Sequence, residues 1–104
     1  MATVMTSFPS PEVCTTMTEV RAGVDATDRA IGALLATRFG YMRAAARIKP
    51  ARSHVRDEAR KAEVIANMVA DARDGDWPEE VAAALWEALV EASIAYELAQ
   101  FDAK

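Results

Sequence analysis

From Thr16 to Lys49 the chain runs for more than thirty residues without a proline, between a start signal and a stop signal. "TMTE", Thr16–Glu19, has the Thr-x-x-Glu form of a capping box, in which hydroxyl and carboxylate each satisfy an orphan N–H. Pro50 ends the pattern, because the residue before a proline is pushed out of helical conformation. At about 1.5 Å per residue this helix is roughly 50 Å long. No other segment of so short a chain can cover it. It predicts an elongated shape, a partner subunit, or both. Gly32 and Gly40 weaken it locally without ending it.

The rest of the chain reads as two further helices. Half of the residues are apolar, Ala is abundant, and only 4 Gly and 4 Pro occur, which favours helix over strand. A connector, residues 51–56, holds His54 as a solvated side chain. The second helix is expected from Asp57 to Arg73, with Gly75 as its stop. "DGDWPEE" then turns into a third, capped by Asp76 or Trp77, with Pro78 in its first turn and Glu79 and Glu80 suiting the dipole. It continues to about Phe101. The fold class is therefore all-α, with long, short and long helices. Residues 1–14 read as a loose tail around Pro9 and Pro11, and 15–104 as one domain. A helical domain of this size often completes its core by dimerising.

Composition narrows the chemistry. With Cys14 as the sole cysteine and one histidine, neither an intrachain disulfide nor a zinc cluster is expected. A net charge of −4 argues against nucleic acid or an anionic membrane as partner. The strip Arg43, Arg47 and Arg52 is the one feature favouring nucleic acid, and no aromatic platform accompanies it. The apolar run at the start is too short for a signal peptide or a membrane span, so the cytoplasm is the expected location.

Helical periodicity sorts the charges by face. Val20, Val24, Ile31, Leu34, Leu35, Met42 and Ala45 form the stripe of the first helix. Arg38 lies on it, and Lys49, about three turns later, returns to the same side. Arg43 and Arg47 point outward. On the second helix Lys61 lies four before Ile65, and Arg60 aligns with Val64. On the third, Ser93 and Glu97 join the stripe of Trp86, Val90, Ile94 and Phe101, beside a second stripe of Leu85, Leu89, Ala92 and Tyr96. Inward cations either snorkel to water, pair with carboxylates of the protein, or line a pocket for an anion. A buried unpaired charge costs several kcal/mol, and the inward cations outnumber Glu97. That balance favours a small anionic ligand.

At these residues the chain resembles the all-helical chorismate mutase family, closest to its isochorismate-pyruvate lyase branch of salicylate biosynthesis. The likeness spans roughly residues 14–101 and rests on "CTTMTEVRAGVDATDRAI", "RFGYMRAAARIK", "VRDEARK" and "SIAYELAQF". It implies an intertwined homodimer of three-helix chains in which Arg21 reaches the partner's site. Helix geometry agrees, since Arg21 and Arg38 are roughly 25 Å apart along the axis. The resemblance further implies that Arg38, Lys49 and Arg60 are the in-chain cations, with Asp57 and Ser93 near the substrate. Two positions depart from the common mutase pattern. Glu97 stands where a Gln often bonds the ether oxygen, and a carboxyl can donate that bond only when protonated, a form that burial favours. Lys61 stands where many mutases carry a Glu for the ring hydroxyl of chorismate, which leaves isochorismate open as substrate.

Both reactions implied are pericyclic and need no nucleophile, metal or cofactor. Chorismate mutase, converting chorismate to prephenate, is the leading expectation, with Arg38, Lys49 and Glu97 catalytic and Arg21, Asp57, Arg60, Lys61 and Ser93 binding substrate. The alternatives are cleavage of isochorismate to salicylate and pyruvate, and a non-catalytic helical dimer that binds a metabolite or a protein.

Overall fold

In the computed structural model, residues 8–104 are described, and they form three α-helices with no strand among them: α1 (Met17–Ile48), α2 (Glu58–Asp74) and α3 (Glu79–Asp102). Two short 3-10 turns, Pro11–Val13 and Arg52–His54, precede α1 and α2. The long, short, long order is the expected one. Residues 1–7 of the expected tail lie outside the described residues. Its remainder holds more order than Pro9 and Pro11 suggested, since Pro11 opens the first 3-10 turn and the Phe8 ring lies against Gly23.

The capping box at the start of α1 forms as read. The Glu19 N–H donates to Thr16 Oγ1 (3.2 Å), and the Thr16 N–H donates back to Glu19 Oε1 (3.1 Å). Glu19 also accepts from the N–H and hydroxyl of Thr15. These bonds, the Thr15 N–H foremost, hold its carboxyl below the usual range. At the other end the Lys49 N–H still reaches Ala45 O at 2.9 Å, and Pro50 can carry the ladder no further.

The chain divides into two units, one ending at Arg38 and one running from Phe39 to Lys104. In the first, much of the expected α1 stripe is uncovered: Val20, Val24, Ile31 and Leu34 are exposed, Leu34 at 70%. In the second, α2 packs on α3. Val55, Val90 and Ile94 make its buried cluster, with Val64, Trp86 and Leu98 against it. Ala72 and Ala82 are fully buried, small side chains that fit where two helices approach closely. The Trp86–Val90–Ile94 stripe is therefore core, whereas Leu85 of the neighbouring stripe is exposed.

The α2–α3 turn bears out one expectation and corrects another. Gly75 is the C-cap that stops α2, and the left-handed position falls one residue later, on Asp76 at φ 59°. The Trp77 N–H donates to Ala72 O (3.0 Å) and the Asp76 N–H to Arg73 O (3.4 Å). This is a Schellman closure whose C′ residue is an aspartate, one of the few side chains that tolerates that region. Gly75 is needed for room instead: a Cβ there would lie 3.1 Å from Asp71 O and 3.2 Å from the Trp77 ring. With Asp76 committed to ending α2, neither it nor Trp77 caps α3. Pro78 is the N-cap residue, without a side-chain cap.

Candidate active site

Two of the expected catalytic side chains meet. Lys49, one residue past the end of α1, donates from Nζ to Glu97 Oε2 of α3 at 2.7 Å. Glu97 is 4% exposed, and the Lys49 side chain 30%. Pro50 makes this geometry possible, because α1 must stop where Lys49 can leave the helix line and cross to α3. One turn before Glu97, Ser93 is buried and its hydroxyl donates to Leu89 O at 2.6 Å. That bond is the usual resort of a serine inside a helix.

The other expected site residues of this unit are engaged with their own surroundings. Asp57 is the N-cap of α2, its Oδ1 accepting from the Arg60 N–H at 3.0 Å. The exposed Arg60 guanidinium pairs with Glu63, one turn along. Lys61 binds Glu87 (2.6 Å) and Glu91 (2.8 Å) of α3 and is largely covered. Glu91 and Glu87 precede Glu97 by six and ten residues, which turns them by about 120° and 80° around α3 from Glu97. Lys61 is thus directed away from the face that carries Ser93 and Glu97.

A two-cation clamp surrounds Glu91. Arg56 grips it bidentately (3.0 and 2.8 Å) and also reaches Glu58 (2.8 Å). Arg56 first, then Lys61, holds the Glu91 carboxyl down to about 2. The hydrogen bonds to Glu87 and then Glu91 raise Lys61 above the usual lysine range.

In the first unit, Arg21 is exposed near the start of α1 and Arg38 is half-buried at its far limit. Arg21 forms no ion pair among the described residues.

Sequence reading missed several contacts. Tyr96 accepts from Arg43 Nη1 at 3.0 Å and meets the Phe39 ring edge-on at 5.1 Å, so Arg43 is not simply solvated. Arg52, a member of the supposed basic strip, is neutralised by Asp102 at 2.9 Å. The Lys104 ammonium donates to Ala46 O (3.0 Å) and Lys49 O (2.9 Å). The spacing of Glu87 and Glu91, four apart, could have pointed to a shared cation. Nothing in the local pattern pointed to Lys104.

Among the described residues no three metal-ligating side chains cluster, no helix is long and apolar enough to cross a membrane, and no buried side-chain polar atom lacks a hydrogen-bond partner. The site elements thus consist of one half-covered ion pair, a buried serine beneath it, and flanking cations mostly matched by carboxylates. Such a set can hold and polarise an oxygen-rich small molecule by hydrogen bonding.

No curated protein matched the chain, and no solved structure did. A family model does match, that of chorismate mutase type II, over residues 20–98. The match takes in α1 from its first turn, all of α2, and α3 through Glu97, the three helices whose order, lengths and Lys49–Glu97 junction have just been described: the chain belongs to the chorismate mutase type II family.

Proposed function

We propose that the protein is a chorismate mutase acting as a homodimer, converting chorismate to prephenate by a Claisen rearrangement. The observation that carries this reading is the Lys49–Glu97 pair at the junction of α1 and α3, in a chain whose family performs that chemistry. In the rearrangement the ether C–O bond breaks while a new C–C bond forms, and negative charge grows on the ether oxygen. A preorganised ammonium beside that oxygen stabilises the transition state more than the substrate. Lys49 supplies it. Glu97 serves as the second donor in its protonated form, and its proton must arrive as substrate displaces the carboxylate from Lys49.

Arg38 and Arg60 hold the substrate carboxylates, Arg60 by exchanging Glu63 for substrate, with Ser93 and Asp57 as further polar contacts. Arg21 of a second copy completes the site. Its lack of an ion pair among the described residues and the uncovered Val24, Ile31 and Leu34 along the same helix support this use of a partner. Holding the enolpyruvyl arm over the ring supplies the remaining acceleration as a near-attack geometry.

A second reading, isochorismate-pyruvate lyase, is favoured by Lys61. A lysine bound to Glu87 and Glu91 offers no acceptor for the ring hydroxyl of chorismate. The internal pairing of Lys49, Arg60 and Lys61 favours a third, a helical dimer without catalytic activity. One experiment separates the three: incubate the purified protein with each substrate and identify products by chromatography. Prephenate from chorismate is the expected result. Salicylate from isochorismate with chorismate untouched establishes the lyase, and turnover of neither leaves the non-catalytic reading.

A further inference from the structure

The end of α1 has a defect that a distant residue repairs. In an uninterrupted helix the Ala46 carbonyl would accept from the N–H of residue 50, and Pro50 has none. Ala46 is buried, so water has little access to satisfy the orphan acceptor, and an unmet buried acceptor is costly. The Lys104 ammonium fills the place of the missing N–H at 3.0 Å and takes the Lys49 carbonyl as well at 2.9 Å. Its position is fixed from the other side, 4.0 Å over the ring of Phe101, which lies one turn after Glu97 on α3. A cation there also suits the negative end of the α1 dipole.

We infer that Lys104 is a positioning residue for the candidate site: it holds the Ala46–Lys49 backbone so that the Lys49 ammonium stands against Glu97. This rests on the proposed role of Lys49 at the ether oxygen. Both hydrogen bonds go to the four-residue stretch from which the Lys49 side chain departs, and Phe101 carries Glu97's own helix. Lys104 thus ties together the backbones behind both members of the pair. Without it the last turn of α1 frays, and Lys49 explores positions away from Glu97. Displacements of about 1 Å at a reacting centre can cost a hundredfold in rate.

Two variants test this. Lys104→Met keeps the alkyl chain over Phe101 and removes every donor; Lys104→Arg keeps donors. In steady-state turnover of chorismate, Lys104→Met should lower kcat about tenfold while KM changes less than threefold, and Lys104→Arg should recover most of the loss. In the substrate-free protein, the coupling between Lys49 and Glu97, read from urea unfolding of Lys49→Met, Glu97→Gln and the double variant, should fall at least twofold in the Lys104→Met background, because the ammonium has drifted. Lys104→Arg should keep the coupling of the parent. The coupling decides the matter even if chorismate is not the substrate, so failure of the functional reading is distinguishable from failure of this one. An unchanged Lys49–Glu97 coupling in Lys104→Met, or a fall in melting temperature with kcat intact, overturns the positioning role and leaves Lys104 as a helix cap.

Discussion

Substituting Lys49 by methionine removes the ammonium paired with Glu97 and leaves the carboxylate where it is 4% exposed. Two unit charges 2.7 Å apart attract by about 6 kcal/mol at an effective dielectric near 20. Desolvation of Glu97 offsets much of that, and the 30% exposure of Lys49 screens more. Breaking a buried pair from one side typically costs about 3–5 kcal/mol. With one partner part-exposed, and a carboxylate able to take up a proton, about 2–3 kcal/mol is expected for Lys49→Met at neutral pH. Glu97→Gln keeps the shape and an oxygen that accepts from Lys49, so about 1 kcal/mol is expected. In the double variant no charge is orphaned, and its loss should fall short of the sum of the two by about 1–2 kcal/mol.

The assay is urea unfolding at fixed protein concentration, with thermal melts alongside, where Lys49→Met should lower the midpoint by on the order of 10–15 °C. If the two single losses add to within about 0.5 kcal/mol of the double, the pair is not an energetic unit and the assigned geometry is wrong. Turnover gives an independent check: loss of one such donor should reduce kcat by about 10²–10³.

The Glu91 clamp sets an acid limb. Its carboxyl sits near 2 rather than the usual 4.5, so the stabilisation is complete above about 4.5 and is lost as pH falls toward 2; Glu91→Gln should remove that limb from an acid-denaturation curve. In the α2–α3 turn, Asp76→Gly should raise stability by up to about 1 kcal/mol by relieving the left-handed backbone. Gly75→Ala should lower it by about 1 kcal/mol through the crowding at Asp71 O and Trp77, both readable from denaturant midpoints.

How much of this was legible depended on how local the cause was. The capping box at Thr16–Glu19 and the Pro50 stop lie within a few residues, and both ends of α1 fell within a residue of the expected positions. The face of Lys49 and Glu97 followed from periodicity, and they meet. Periodicity cannot say which helix a charged side chain will find. Lys61 was read as pointing inward and is largely covered, but its partners Glu87 and Glu91 are on α3, far along the sequence, and on a different side from Glu97. Asp57 was visible as a polar residue at a helix start; that its carboxylate caps Arg60 follows from backbone geometry there. Gly75 was rightly read as the stop of α2; that the left-handed position falls to Asp76 one residue later is set by the closure of the whole turn, which no single residue signals.

The charge balance bears on the proposed use of a second copy. In the unit from Phe39 to Lys104, each expected substrate-binding cation already has a carboxylate: Lys49 has Glu97, Arg60 has Glu63, and Lys61 has Glu87 and Glu91. A substrate with two carboxylates gains nothing from cations whose charge is cancelled, unless the cancellation is lifted as it binds. Protonating Glu97 lifts it at Lys49, and moving the exposed Glu63 aside lifts it at Arg60 at low cost, since surface pairs of that kind contribute little. Lys61 is different, because two carboxylates hold it and Arg56 shares one of them, so releasing it breaks a network rather than a pair. Arg21 brings a charge with no ion pair among the described residues, from a helix whose apolar stripe is largely uncovered. Under the proposed function, a site that must attract a dianion would draw its least compensated charge from the part of the chain with most to gain by pairing with another copy, which would make assembly and substrate affinity two consequences of one surface.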